Sequence, residues 1–172
     1  MWRLVDDCGG ISARNRHFSL FLPVQYEKKE DRNVLSGEYS HTLDAKKRLI
    51  LPAKLREELG NEIVLTKNVD KCVSIYPRQA WLAFCEKLDA LPDTETRVVK
   101  RFLYSAAFET TIDAQNRLVI PPNLCEFASL NKNVRVVGVG NRAEIWDEAA
   151  WNETVSAVNV NDVIAVMEKL GL

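Results

Sequence analysis

Two stretches of this sequence nearly repeat one another: residues 39–59 read YSHTLDAKKRLILPAKLREEL, and residues 108–128 read FETTIDAQNRLVIPPNLCEFA. Both fit the pattern T-[LI]-D-A-x-x-R-L-[IV]-[LI]-P-x-x-L. The similarity continues downstream, after a one-residue offset near Gly60, to a tryptophan in each copy. A fixed order of Asp, Arg, Pro and Trp over such a span indicates an internal duplication, which is the strongest guide to the fold.

Within each repeat, β-forming residues precede a polar segment and an apolar run follows it. The β-forming segments are residues 38–43 and 107–112, and the apolar runs are residues 49–51 and 118–120. Two strand patterns around a short polar turn predict a β-hairpin. The proline after each apolar run has no N–H to donate, which suits the first turn of a short helix.

The downstream elements also repeat. We predict strands at residues 63–66, 72–76, 134–137 and 143–146 and helices at 78–89 and 147–155. A helical connector over residues 94–104 and an amphipathic tail helix over residues 162–170 complete the prediction. The connector carries a cluster of three cations: Arg97, Lys100 and Arg101.

Composition limits the classes of protein to consider. The chain has 172 residues, 47% of them hydrophobic, and 23 Lys and Arg against 24 Asp and Glu leave a net charge of −1. This apolar content at almost no net charge excludes disorder of the whole chain. The same balance argues against a strongly basic nucleic-acid binder. It is compatible with a binder whose positive charge is local and whose affinity depends on several copies acting together.

The sequence also bears on compartment. Residues 18–24 form a short apolar run, far below the roughly 20 residues that span a bilayer, without the flanks of a secretory signal. The four cysteines are scattered without a C-x-x-C pair, which favours reduced thiols over a disulfide framework or a zinc site: Cys8, Cys72, Cys85 and Cys125. We therefore expect a cytoplasmic protein that uses neither metal nor cofactor.

Each predicted turn carries the motif D-A-x-x-R, from Asp44 to Arg48 and from Asp113 to Arg117. An aspartate that opens a turn accepts hydrogen bonds from backbone N–H groups and can pair with an arginine across it. We interpret both aspartates as turn-supporting residues. The alternative is an enzyme in which they share a proton as an acid–base dyad. That alternative lacks a D-[ST]-G loop, and the nearby arginines favour ionised carboxylates.

The arginines of these motifs are the candidate DNA-binding residues. Arg48 and Arg117 each lie between a turn and an apolar strand, so a rigid element carries the guanidinium near the surface. A guanidinium held in this way can form bidentate bonds to guanine in a major groove, which admits a two-stranded ribbon. Lys46 and Lys47 are predicted phosphate contacts. Uncharged residues replace them in the second repeat, so we expect the second turn to contribute less affinity.

The doubled motif D-A-x-x-R-L-[IV]-[LI]-P, with V-G-N-R at residues 139–142 and E-I-W before D-E-A-A-W at residues 144–151, resembles the MraZ family. The resemblance covers residues 34–155 and implies two SpoVT-AbrB-type domains. The predicted plan is a first domain, a helical connector, a second domain and a helical tail, at residues 36–82, 83–104, 105–152 and 153–172.

This resemblance implies an α+β fold in which two pseudo-symmetric, swapped-hairpin β units form a barrel-like body with peripheral helices. It implies a DNA-binding transcriptional regulator, mainly a repressor, that forms ring-shaped homo-oligomers. The expected target is a set of G-rich direct repeats in the promoter of the division and cell-wall gene cluster, including its own promoter, which places the protein at the nucleoid. The family's DNA-contacting arginines correspond to Arg48 and Arg117.

The sequence departs from the family pattern at two places. Family members commonly have glycine before the motif arginine, where this chain has Lys47 and Asn116. Lysine adopts a left-handed backbone less readily than asparagine, so we expect the first turn to be shaped slightly differently. Family members also begin close to residue 35. We expect residues 1–33 to be a disordered extension, and we hypothesise that translation starts at Val34.

A protein-binding module of the antitoxin type is the alternative function. Trp81 and Trp151 could serve such a role, although core packing explains better why they repeat. The tail helix has two interpretations, since it can pack on its own protomer or dock on a neighbouring subunit. We expect neither an enzyme nor a small-molecule substrate, because the sequence has no nucleophile motif and no phosphate-binding loop.

Overall fold

The computed structural model describes residues 34–172, so the predicted N-terminal extension at residues 1–33 lies outside the described residues. The strands are β1 (Leu35–Thr42), β2 (Arg48–Ile50), β3 (Glu62–Lys67), β4 (Val73–Pro77), β5 (Phe108–Thr111), β6 (Arg117–Val119), β7 (Asn133–Gly140) and β8 (Ala143–Asp147). The helices are α1 (Ala53–Leu59), α2 (Arg78–Asp89), α3 (Asp93–Tyr104), α4 (Pro122–Phe127), α5 (Glu148–Ser156) and α6 (Val160–Leu170).

The strands form two sheets, and the predicted α+β class is confirmed. Six strands make an antiparallel sheet in the order β1-β7-β8-β4-β3-β5, and β2 and β6 form a separate two-stranded sheet. The predicted barrel-like body is wrong, because β1 and β5 are the two edges of an open sheet. The apolar pattern predicts a buried sheet face, but it does not specify whether the edge strands meet.

The predicted hairpins form only at their turns, where the aspartate N–H donates to the arginine carbonyl at 3.0 Å in each repeat. Beyond the turns, the strands of each repeat pair mainly with strands of the other repeat. β1 pairs with β7, β5 pairs with β3, and β2 pairs with β6. A single bridge between Leu43 and Leu49 links the segments that the sequence predicted as the first hairpin. Because the two repeats carry the same strand pattern, a strand finds an equivalent partner in either repeat, and local sequence does not distinguish the two pairings.

One close approach fixes the pairing of β1 with β7. Gly37 lies directly opposite Gly138, and a Cβ atom added at Gly138 would lie 2.4 Å from the backbone nitrogen of Ser36. A side chain at this position would force the two strands apart. The glycine pair thus specifies this contact between the repeats.

The main core lies between the two sheets and the short helices. Leu49 and Leu118, directly paired across the β2–β6 ladder, are both fully buried. Leu55 of α1 and Leu124 of α4 are fully buried in the same cluster. The core therefore holds the β2–β6 ladder by one face and leaves its other face outward.

The longer helices agree with the sequence prediction. α2 spans the predicted residues, and α5 follows the predicted cap at Asp147, whose Oδ1 accepts a hydrogen bond from the Ala149 N–H at 3.0 Å. Trp81 is buried against Tyr76, with ring centroids 5.6 Å apart, which confirms its core role. Trp151 is partly buried against Trp146.

The tail helix α6 does not pack on its own protomer, because every residue of it is exposed. Its apolar side chains include Val163, Ile164, Met167 and Leu170. Of the two interpretations of this helix, packing on its own protomer is therefore wrong. None of the helices within residues 34–172 combines the length and apolarity needed to cross a bilayer.

Candidate nucleic-acid interface

The first D-A-x-x-R turn is held by one carboxylate. Oδ1 of Asp44 accepts hydrogen bonds from the backbone N–H groups of Lys46 at 2.8 Å and Arg48 at 2.9 Å. Its Oδ2 accepts a charge-assisted hydrogen bond from Nε of Arg48 at 2.6 Å. The aspartate thus closes the turn and orients the guanidinium at the same time.

The second turn repeats this arrangement. Oδ1 of Asp113 accepts from the N–H groups of Gln115 at 2.8 Å and Arg117 at 2.9 Å, and Oδ2 accepts from Nε of Arg117 at 2.8 Å. The arginine side chains are 27% and 29% exposed in the first and second turns. Both guanidinium groups therefore lie at the surface on a rigid support.

The residue before each arginine adopts a left-handed backbone. Lys47 has φ of 55° and Asn116 has φ of 61°, and each donates its N–H to the carbonyl of the turn's aspartate, at 3.0 Å and 2.8 Å. The expected difference in shape between the turns is therefore absent. The hydrogen bonds of the aspartate and the paired strand impose this conformation on lysine as well, at the cost that a side chain incurs there.

The β2–β6 ladder brings both turns into one surface. Arg48 lies opposite Val119, Leu49 opposite Leu118, and Ile50 opposite Arg117. Because paired residues and every second residue share a face, the two arginines, Ile50 and Val119 lie on the face away from the core. We call these four residues the ladder face: Arg48, Ile50, Arg117 and Val119.

Two further hydrogen bonds tie each turn to the opposite strand. The carbonyl of Lys47 accepts from the N–H of Ile120 at 3.0 Å, and the carbonyl of Asn116 accepts from the N–H of Leu51 at 3.2 Å. The two turns thus lie at opposite ends of the ladder and hold one another in position. Sequence patterns did not reveal this link, because it joins residues of different repeats.

Each aspartate lies in surroundings that favour its ionised form. The backbone N–H of Arg48 and its guanidinium hold the pKa of Asp44 below the usual aspartate range. Arg117 lowers the pKa of Asp113 through the same two groups. An acid–base dyad needs one carboxyl that stays protonated, whereas both oxygens of each aspartate accept hydrogen bonds within their own turn.

The two guanidinium groups differ in their terminal nitrogens. Nη2 of Arg117 donates to the Gln115 side-chain carbonyl at 2.8 Å and lies 2.7 Å from Oδ2 of Asp113. Within residues 34–172, the terminal nitrogens of Arg48 have no such partner. The residue that corresponds to Gln115 is Lys46, whose ammonium can only donate and cannot accept from Arg48. The two terminal nitrogens of Arg48, which we call its fork, therefore stay free of this neighbour.

The predicted phosphate contacts occupy different positions. Lys46 is exposed and has no ion-pair partner among residues 34–172. The ammonium of Lys47 instead donates to the carbonyl of Leu130 at 3.3 Å, just beyond α4. On the connector, the ammonium of Lys100 lies 3.3 Å from carboxylate oxygens of Asp89 and Asp93, which neutralise part of that predicted cluster.

The described cysteines do not form a reactive or metal-binding site. Burial raises the pKa of the Cys72, Cys85 and Cys125 thiols, so they stay neutral. Among the described residues, no group of three or more His, Cys, Asp or Glu is arranged to hold a metal ion.

Comparison with known proteins agrees with the sequence resemblance. The model of the family described as "MraZ protein, putative antitoxin-like" matches residues 34–102 and again residues 103–170. The transcriptional regulator MraZ of Clostridium acetobutylicum is 44% identical over 139 residues, which cover 79% of this chain and 98% of that protein. The transcriptional regulator MraZ of Moorella thermoacetica is 49% identical over 122 residues, covering 70% and 85%.

A solved structure shows a weaker similarity. The solution structure of PHS018 from Pyrococcus horikoshii covers 62% of this chain and 91% of that chain, at 16% identity and a TM-score of 0.30, too low to support an argument. The doubled family match and the similarity to its relatives over most of their length carry the assignment. The chain belongs to the MraZ family.

Proposed function

We propose that this protein regulates transcription by binding double-stranded DNA through the ladder face, with Arg48 and Arg117 reading guanines in the major groove. The observation that carries the proposal is the register of β2 and β6, which puts both arginines on one outward face. Each Nε is anchored on an aspartate, so the guanidinium is oriented before DNA arrives. Such bidentate contacts discriminate against a wrong base by about 1–3 kcal/mol.

The charge around the ladder face supports unequal contributions of the two turns to DNA affinity. The first turn carries three cations and one carboxylate, whereas the second carries one of each. Lys46 is the phosphate contact that the surface supports best, because its ammonium is unengaged within the described residues. Lys47 would have to leave the Leu130 carbonyl to reach a phosphate. The first turn therefore supplies most of the affinity.

The proposed target is a set of G-rich direct repeats in the promoter of the division and cell-wall gene cluster, including the protein's own promoter. Binding there mainly represses transcription and places the protein on the nucleoid. Family membership supports this target, and two guanine-reading arginines per chain suit a G-rich site.

We propose further that the protein binds DNA as a ring-shaped homo-oligomer. A chain with net charge −1 neutralises few phosphates, so a single copy binds weakly. Several copies on repeated sites gain about 10²–10⁴-fold through effective concentration. The exposed apolar side chains of α6 support assembly, because such a surface is normally covered by protein.

DNA binding is tested by fluorescence anisotropy with the DNA upstream of the protein's own gene, across a series of salt concentrations. We expect specific binding that weakens as salt rises, because bound cations release counterions from phosphate. A scrambled fragment of equal length is the control. Equal affinity for both fragments, or no binding at low salt by the assembled protein, would contradict the proposal.

Binding another protein, in the manner of an antitoxin, is the second candidate function. The exposed apolar face of α6 is the observation that favours it. Light scattering on the purified protein separates the two uses of this helix. A defined oligomer that Ile164→Ser and Met167→Ser dissociate assigns α6 to self-assembly, whereas a monomer leaves it available to a partner.

A further inference from the structure

We infer that Ile50 and Val119 are specificity-determining residues that contact the 5-methyl groups of thymines next to the guanines read by the arginines. This inference rests on the proposed function and extends its recognition from guanine to thymine. It assigns a role to the two members of the ladder face that carry no charge.

Their exposure is the first observation. Ile50 is 56% exposed and Val119 is 47% exposed, whereas Leu49 and Leu118 between them are fully buried on the opposite face. The register forces this alternation, so the core does not require an aliphatic residue at either exposed position. Two β-branched side chains are thus presented outward, one at each end of the ladder face.

Their position relative to the arginines is the second observation. Ile50 is directly opposite Arg117 and Val119 is directly opposite Arg48, so each aliphatic side chain has a guanidinium as its cross-strand neighbour. Opposite residues have Cβ atoms about 4.5–5.5 Å apart. Base pairs are spaced about 3.4 Å along the helix axis. A side chain at this offset meets the base pair beside the guanine that its paired arginine contacts.

The chemistry of the groove selects the ligand. Thymine's methyl is the apolar group among the base edges of the major groove, and aliphatic side chains recognise it by contact. A protein partner fits this patch poorly. Two aliphatic side chains, each paired with an arginine, fall far short of the roughly 800 Å² per partner that a stable protein interface buries. A protein that covered the patch would also bury both guanidinium groups and would have to supply acceptors for their remaining N–H groups.

Replacing thymine by uracil in the DNA tests the inference, because uracil lacks only the methyl group. The upstream fragment is amplified with dTTP or with dUTP, and the dissociation constants of the full chain are compared. We expect the wild type to bind the uracil fragment at least about fourfold more weakly, the effect of losing one buried methyl contact. In Ile50→Ser/Val119→Ser, we expect both fragments to bind equally.

The control variant is Val69→Ser, which removes an equally aliphatic side chain, 80% exposed, from a turn outside the ladder. It should keep the wild-type preference for thymine. Equal wild-type binding to both fragments overturns the inference and leaves the proposed function intact, whereas binding to neither overturns both. A preference for thymine that persists in the double variant assigns it to DNA shape. If the double variant also changes the oligomer mass, the patch is a protein interface.

Discussion

The two D-A-x-x-R turns share a backbone but differ in what they offer to a ligand. Both close on an aspartate with matching hydrogen bonds, and both have a left-handed residue before the arginine. In the first turn the terminal nitrogens of the arginine have no partner within residues 34–172, and a lysine lies beside them. In the second, Gln115 occupies the fork. The two repeats thus keep the same backbone and the same aspartate hydrogen bonds around the turn. They differ in the groups beside the arginine that face a ligand.

Removing the arginines should have the largest effect on DNA binding, and the effect should differ between the two turns. Arg48→Ala is expected to abolish specific binding to the upstream DNA, and Arg117→Ala to weaken it less, because Arg48 has the free fork and the more positive surroundings. Each lost bidentate contact is worth about 1–3 kcal/mol. Anisotropy titrations measure both losses, with Arg97→Ala of α3 as the control. Equal losses from the two turns would contradict the asymmetry.

Exchanging the residues beside the arginines should show whether charge or the contact with the arginine fork makes the turns differ in DNA binding. Gln115→Ala frees Nη2 of Arg117 from the amide without adding charge, and Gln115→Lys frees it and adds a cation. We expect Gln115→Lys to strengthen binding and to steepen the logarithmic salt dependence by about 1, the effect of one added phosphate contact. Lys46→Gln should do the reverse. Titrations at several salt concentrations measure the slopes.

The effect of Gln115→Ala decides which difference matters. If it strengthens binding as much as Gln115→Lys, the occupied fork limits the second turn. If it has no effect while Gln115→Lys does, the limit is charge. If neither variant changes binding, neither the amide of Gln115 nor the missing charge limits the second turn.

Neutralising the aspartates should destabilise both turns slightly. Asp44→Asn and Asp113→Asn keep an oxygen for the backbone N–H groups but place an amide where the guanidinium Nε had a carboxylate. We expect small decreases in the midpoint of urea unfolding, and the decrease for Asp113→Asn should be at least as large, because Oδ2 of Asp113 also lies 2.7 Å from Nη2 of Arg117. The double variant should show their sum. A larger decrease for Asp44→Asn would contradict this expectation.

Replacing the left-handed residues should produce a smaller, unequal gain in stability. Lys47→Gly relieves a conformation that costs an ordinary side chain about 1–2 kcal/mol, partly offset by the about 0.5–1 kcal/mol of extra backbone entropy that glycine loses. We expect a higher free energy of unfolding for Lys47→Gly and almost no change for Asn116→Gly. Lys47→Ala, which only removes the ammonium contact with Leu130, is the control and should not stabilise.

The smallest effect concerns protonation. Because the folded-state pKa of each aspartate is lowered, their contribution to stability is complete above the unfolded pKa of about 3.9 and is lost as the pH falls through the folded value. NMR titration of the side-chain carboxyls should place both below 3.9. Arg48→Ala should raise the value for Asp44 alone, and a shift at Asp113 would reveal coupling between the turns.

Local patterns predicted the elements of this fold well, and their partners poorly. The helix at residues 78–89 and the cap at Asp147 follow from spacing and side-chain type, which act within a few residues. The pairing of β1 with β7 was missed, because a strand carries the same pattern whichever repeat supplies its partner. The open sheet was missed for a related reason, since closure depends on how distant edges are oriented.

In the candidate site, too, local contacts were predicted from the sequence and distant contacts were not. Residue type alone predicted that the aspartates would support the turns and that the arginines would be carried on strands, and both depend on contacts within five residues. The amide of Gln115 on Arg117 and the ammonium of Lys47 on Leu130 depend on rotamers and on distant backbone. The outward face of Ile50 was hidden within an apolar run, because only the register reveals which residues of a run are exposed.

The exchange of strands between the repeats has a consequence for how this molecule evolves. Neither repeat completes its own sheet, so the strands of each repeat depend on the other repeat for hydrogen-bond partners. Because both repeats lie in one chain, a mutation in one turn is not copied into the other. Under the proposed function, the site can therefore recognise a DNA sequence that differs between its two ends.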